Sequence, residues 1–320
     1  MSSSAVPAKY QPILDDVSAA YRAAVAAGGH PPETADRVLG TFFRCVAEQL
    51  SSPYQFEPYH QKITAPFDYY TFGMDFIRPL VNKAGSTLSG REHLVRAAAQ
   101  IAAGENVIFL ANHQTEADPQ AITLMLEDDF AQIGTEMIFV AGERVTTDPL
   151  TVPFSKGRNL LCIYSKRYID HPPERKAFKT NHNRKTMERM AELLAEGGHC
   201  IYVAPSGGRD RRNADGVVEV APFDPQNVEM FYLMAQRAAH PTHFYPMAMD
   251  TFDILPPPET VQVALGEARR MAYSPVHLAV GPELDMDRFD EADRMERRAA
   301  RANTAWRAVR AEYERFGSRS

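Results

Sequence analysis

The chain has 320 residues, 44% hydrophobic and 24% charged, with a formal net charge of −6 at pH 7. This is room for one large domain, or a small one followed by a larger one, and the composition excludes a repeat array or a low-complexity polymer. The negative balance offers no overall attraction to nucleic acid or to an anionic membrane surface, so any anion site has to be built locally.

The cysteines, Cys45, Cys162 and Cys200, are odd in number and lack C-x-x-C spacing, which argues against a disulfide framework or a cysteine zinc site. The N-terminus MSSSAVPAKY shows neither a secretory nor a transit pattern. No stretch approaches the ~20 apolar residues that cross a bilayer. A reducing, cytoplasmic setting is expected.

In chain order, Ile13, Leu14, Val17, Tyr21 and Val25 repeat at the spacing of one helix face, and Gly28-Gly29 ends that helix. A second helix follows Pro31-Pro32 and carries Ala35, Val38, Leu39, Phe42, Phe43, Val46 and Leu50. A third is expected from Phe67 to Ile77, before Pro79. The first 85 residues thus read as all-helical, and a domain break is expected there: residues 1–85 a helical bundle, residues 86–320 an α/β domain.

Beyond Ser86 the pattern changes. A helix from Arg91 to Ala103 leads into Asn106-Val107-Ile108-Phe109-Leu110, a short apolar run typical of a buried strand. Further strands are expected at Met137–Ala141, Leu160–Tyr164, Cys200–Val203, Phe244–Met249 and Val261–Leu265. Helices are expected at Gln120–Glu127, Asn181–Glu196, Val228–Ala239 and Arg288–Phe316. Strands separated by helices imply an α/β fold with a mixed, largely parallel sheet. Ligands of such sheets bind beyond the carboxyl ends of the strands, where the chemistry should be sought.

Two loops answer that description. Directly after the strand ending at Leu110 come Asn112-His113-Gln114-Thr115-Glu116-Ala117-Asp118-Pro119. A carboxylate five residues after a histidine can fold back to hold one ring nitrogen and leave the other for a substrate, the arrangement of an oriented general base. The alternative is that Asp118 caps a helix starting at Pro119 while His113 bonds only to backbone. The second loop, Ala204-Pro205-Ser206-Gly207-Gly208-Arg209-Asp210-Arg211-Arg212, follows the strand Cys200–Val203. Gly207 and Gly208 let backbone approach a ligand, Ser206 belongs to the same turn, and clustered arginines match phosphate oxygens. Its alternative is a solvated turn with arginines paired to Asp210 and Glu219. A third basic group, Lys156, Arg158, Lys166 and Arg167, brackets the strand Leu160–Tyr164.

With these residues in place, the sequence resembles the soluble, plastid-type glycerol-3-phosphate acyltransferases. The resemblance rests on NHQTEADP at 112–119, VAGERVTTDPL at 140–150, PFSKGRNLLCIYSK at 153–166, APSGGRDR at 204–211, APFDP at 221–225 and DILPPP at 253–258. It implies a small helical bundle preceding the α/β domain. It also implies that His113 and Asp118 are the catalytic pair and that Arg209 and Arg211 grip the phosphate of glycerol 3-phosphate. Where the family carries Lys-Lys-His, this chain has Lys166-Arg167-Tyr168. The family's Lys-His phosphate contacts therefore fall on Arg167, which keeps the charge, and Tyr168, which does not.

The implied reaction moves an acyl group from a thioester, carried by acyl-carrier protein or coenzyme A, to the 1-hydroxyl of glycerol 3-phosphate, the first step of phospholipid biosynthesis. His113 would accept the hydroxyl proton and backbone N–H groups near the helix after Pro119 would serve the oxyanion. Ser206 is not needed as a nucleophile, and neither metal nor tightly bound cofactor is called for. Lys176, Lys179, Arg184 and Lys185 are candidates to receive an anionic donor, or else a solvated helix face. The lipid product implies transient contact with a membrane surface, and no nucleic acid is expected as a partner. Two alternatives stand beside this: a lysophosphatidate acyltransferase, which usually has Glu-Gly-Thr-Arg in place of Ser206-Gly207-Gly208-Arg209, and a non-catalytic acyl-carrier or phospholipid-binding module.

Overall fold

A computed structural model of the chain describes residues 6–165, 169–257 and 269–317. It opens with helices α1 (Gln11–Ala27) and α2 (Pro32–Ser51), the two-residue strand β1 (Tyr59–His60) and helix α3 (Tyr69–Ile77). Strand β2 (Thr87–Ser89), helix α4 (Arg91–Ala102), strand β3 (Asn106–Ala111) and helices α5 (Asp118–Leu126) and α6 (Ala131–Glu136) follow. Then come β4 (Ile138–Ala141), the short helices α7 (Glu143–Thr147) and α8 (Val152–Ser155), β5 (Asn159–Cys162), α9 (Lys176–Glu196) and β6 (Cys200–Val203). A small hairpin of β7 (Arg211–Arg212) and β8 (Val218–Glu219), helix α10 (Pro225–Ala235), β9 (Thr242–Asp250), β10 (His277–Val280) and α11 (Arg294–Gly317) complete the chain.

Eight strands form one sheet in the order β1-β5-β4-β6-β3-β9-β10-β2. From β5 to β9 every pairing is parallel. β1 joins β5 antiparallel, and β10 runs antiparallel to β9 and parallel to β2. The expected mixed, largely parallel sheet is the one observed. The first 85 residues are not purely helical, because Tyr59 and His60 add an edge strand to the sheet. A run of two paired residues has no periodicity to read. The strands at Thr87–Ser89 and His277–Val280 were equally without signal, and the expected strand Val261–Leu265 lies outside the described residues.

β3 lies between β6 and β9, and all six of its residues are buried. Its alternate side chains feed two cores. Val107, Phe109 and Ala111 pack with Leu94 and Ala97 of α4 and with Ile122 and Leu126 of α5. Ile108 and Leu110 pack with Leu193 and Leu194 of α9, Val228 and Phe231 of α10 and Ala305 and Val309 of α11. Complete burial of each such apolar side chain contributes roughly 1.5–3 kcal/mol. A third cluster joins α1, α2 and α3 to Ala121 and Leu124 of α5. Helix α5 is therefore gripped on two sides, which fixes the residue at its start, Asp118.

Register decides what meets at the carboxyl edge. Leu110 pairs with Val203, and Ala111 with Met247. The chain therefore leaves β3 and β6 side by side, and the end of β9 arrives on the other flank. The loops after β3, after β6 and after β9 converge at one place.

Candidate active site

His113 is the second residue after β3. Its Nδ1 is 2.7 Å from Asp118 Oδ2. The Asp118 side chain is 1% exposed and that of His113 32%. The same carboxylate accepts hydrogen bonds from the backbone N–H of Gln114 (2.8 Å) and of Thr115 (3.1 Å). It also accepts from the hydroxyls of Thr115 (3.0 Å) and Thr251 (2.6 Å). Every partner donates, so the proton between Asp118 and His113 belongs to Nδ1, and Nε2 is the ring nitrogen left for a substrate. The carboxylate points back into the loop and does not cap α5, whose N-cap position, Ala117, has no side-chain cap bond. The geometry is that of the oriented base.

The residues on either side of His113 are held as firmly. The Asn112 amide donates to Asp210 Oδ2 (2.8 Å) and to the Met249 carbonyl (2.9 Å), and its oxygen accepts from Met249 N–H (2.9 Å). The Tyr202 hydroxyl donates to the Asn112 carbonyl at 2.8 Å. Gln114 accepts from Thr251 N–H at 2.7 Å. These bonds cross from β3 to β9 and to the loop after β6.

In that second loop, Ser206 Oγ donates to the Gly208 carbonyl at 2.9 Å, consistent with a turn residue. Gly207 has φ +66°, a left-handed conformation that disfavours any side chain. A Cβ added at Gly208 would meet nothing within 4 Å, so the loop is open on that side. Asp210 is fully buried between half-buried Arg209 and Arg211. Burial pushes its carboxyl up to about 6, against the pull of its bonds from Ala221, Asn112 and Gln114. Arg212 faces away from this chemistry. It donates to the Gly216 carbonyl (2.7 Å), pairs with Asp253 (3.2 Å) and lies over the Phe252 ring.

Three expected site residues, Lys166, Arg167 and Tyr168, lie outside the described residues. The other two members of that basic group precede the strand, as the bracketing pattern has them. Lys156 and Arg158 precede β5 at its amino end, the side of the sheet opposite the His113 loop. Arg158 is buried, donating to Thr123 Oγ1 (2.7 Å) and Met74 Sδ (3.0 Å), and Lys156 lies over the Tyr69 ring.

The four candidate cations of α9 also separate. Lys179 is buried and donates to Glu143 (2.9 Å) and the His171 carbonyl (2.7 Å), Lys176 pairs with Asp170, and Arg184 with Glu188. Lys185 lines a cavity of about 420 Å³ with Arg175, Tyr54, Phe56, Tyr164 and Phe178, beside the carboxyl end of β5.

One element of the site went unassigned in the sequence. Buried Arg269 binds Glu116 (3.0 Å) and Asp148 (2.8 Å), tying the His113 loop to the turn before α8. Glu116 and Asp148 both sit inside the resemblance blocks, whereas Arg269, 153 residues beyond Glu116, carried no signal.

An oriented histidine thus sits in a loop bonded to an arginine-bearing loop, at the carboxyl edge of the parallel strands. Residues 87–250, which contain both loops, match the family model described as Acyltransferase, which sets the class. The chain is 35% identical over 98% of its length to the chloroplastic glycerol-3-phosphate acyltransferase of Arabidopsis thaliana, covering 69% of that protein. It is 38% identical to the spinach protein of the same name over 83% of this chain and 57% of the relative. For the safflower (Carthamus tinctorius) protein, identity is 41% over 74% of this chain and 51% of the relative. The chain belongs to the glycerol-3-phosphate acyltransferase family. It spans about half to two thirds of the length of the relatives it matches. A 1-acyl-sn-glycerophosphate (LPA) acyltransferase from Thermotoga maritima is 15% identical, covers 94% of each chain and has a TM-score of 0.41. Among the described residues no helix is long and apolar enough to cross a membrane.

Proposed function

We propose that this chain transfers a fatty acyl group from an anionic thioester, acyl-carrier protein or acyl-coenzyme A, to the 1-hydroxyl of glycerol 3-phosphate, giving lysophosphatidic acid. The supporting observation is the 2.7 Å His113–Asp118 bond in a loop tied through Asp210 to the arginine-bearing loop. His113 Nε2 takes the hydroxyl proton as the oxygen attacks the thioester carbonyl. The C–O bond forms, the C–S bond breaks, and the histidine returns the proton to the departing thiolate. Asp118 keeps the ring in the productive tautomer and stabilises the imidazolium. Arg209 and Arg211 hold the phosphate, so that the alcohol is bound at attack distance and no acyl-enzyme is required. Arg167 and Tyr168 complete the phosphate contacts in this reading. The aromatic cavity rimmed by Arg175 and Lys185 supports an anionic donor approaching from the β5 side.

The test is product formation from radiolabelled glycerol 3-phosphate with each donor at equal acyl chain, and with lysophosphatidate as the competing acceptor. Acylation of lysophosphatidate alone would replace this reading with the second-step enzyme. No product with either acceptor would leave a binding module.

A further inference from the structure

The His113 loop and the arginine loop share one buried residue that neither catalytic role uses. Asp210 donates its backbone N–H to the His113 carbonyl at 2.6 Å. Its Oδ2 accepts from Asn112 (2.8 Å) and, more weakly, from Gln114 (3.4 Å), the residues on either side of His113, and its Oδ1 accepts from Ala221 N–H (2.9 Å). We propose that Asp210 is a positioning residue that couples acceptor binding at Arg209 and Arg211 to the placement of His113. The proposal rests on the catalytic and phosphate roles given above.

Asn112 cannot turn its amide round, because Met249 N–H occupies its oxygen and the Met249 carbonyl its nitrogen. Gln114 cannot either, because Thr251 N–H occupies its oxygen. Asp210 therefore faces three N–H donors and nothing that could accept. Only a group with two accepting oxygens satisfies that surround. An asparagine of the same shape must aim its own NH2 at Ala221 N–H or at the amides of Asn112 and Gln114. Either choice sets donor against donor in a buried site. Arg209 and Arg211 are its chain neighbours, so a phosphate that draws on them pulls on the residue that braces His113. The interaction is between positions 98 residues apart and leaves no trace in local spacing.

The test is a double-mutant cycle with Asp210→Asn, Arg211→Ala and the pair, each checked for native circular dichroism and assayed with both substrates varied. Asp210→Asn is expected to lower kcat about 30-fold and to raise KM for glycerol 3-phosphate, with KM for the acyl donor unchanged. The double variant is expected to lose no more than about 3-fold in kcat beyond Asp210→Asn alone, since the phosphate can no longer act on His113 through a broken brace. A purely structural residue would give effects that multiply. Gln114→Met, which removes the weaker donor to Asp210 together with the acceptor of Thr251 N–H, is the second variant should Asp210→Asn not fold, with the same non-additivity at about 5-fold amplitude. A kcat for Asp210→Asn within about 3-fold of wild type, or multiplicative losses, would overturn the coupling. An unchanged KM for glycerol 3-phosphate in Arg211→Ala alone would instead overturn the acceptor-site reading.

Discussion

Asp118→Asn separates an orienting carboxylate from a loop staple. In the native site Oδ1 accepts from Thr115 N–H and two threonine hydroxyls, and Oδ2 from Gln114 N–H and His113. An asparagine has two ways to fit. If its NH2 takes the place of Oδ1, the Thr115 and Thr251 hydroxyls can rotate to accept, but Thr115 N–H is orphaned. If NH2 takes the place of Oδ2, Gln114 N–H is orphaned and His113 must accept at Nδ1, which moves its proton to Nε2. Either way one buried backbone donor loses its partner, at about 1–3 kcal/mol of stability. The kinetic costs differ. The first arrangement keeps the useful tautomer but removes the charge that stabilises imidazolium, for about 100-fold in kcat. The second disables the base, for up to ~10⁴-fold. Chemical denaturation gives the stability term and steady-state kinetics the rest. A variant destabilised as stated, yet within 10-fold of wild-type kcat, would refute the orienting role and leave Asp118 as a loop fastener.

His113→Ala is expected to lose at least ~100-fold in kcat with little change in the unfolding midpoint, because the half-exposed ring contributes to the barrier and not to the core. Arg209→Ala and Arg211→Ala should each raise KM for glycerol 3-phosphate about 10- to 150-fold, and Arg→Lys should restore only part, as read by varying each substrate in turn. Arg158→Met should leave both KM values unchanged and stability equal or raised by ~1–2 kcal/mol, because that buried guanidinium has a buried Nε without a hydrogen-bond partner. A rise in KM for glycerol 3-phosphate would overturn this structural role.

What the amino-acid order determined is whatever operates over a few residues. The run Asn106–Leu110 must be buried, the helices of the first 50 residues follow from apolar spacing, and a carboxylate five positions beyond His113 is within reach of its ring whatever else the chain does. The glycine pair and arginines at 207–212 likewise announce an anion loop locally. Tertiary structure decided which of these meet and which side each faces. The parallel register of β3 with β6 and β9 brings Asn112 to Asp210 and Thr251 to Asp118, contacts across 98 and 133 positions. Tertiary packing also buries Arg158 against Thr123 and Met74, and burial converts Lys179 from a surface cation into a tie to Glu143. Strands of two to four residues at the sheet margins, such as Tyr59–His60 and His277–Val280, exist because a neighbour supplies their hydrogen bonds. Such pairing energy belongs to both strands together and has no local signature in either.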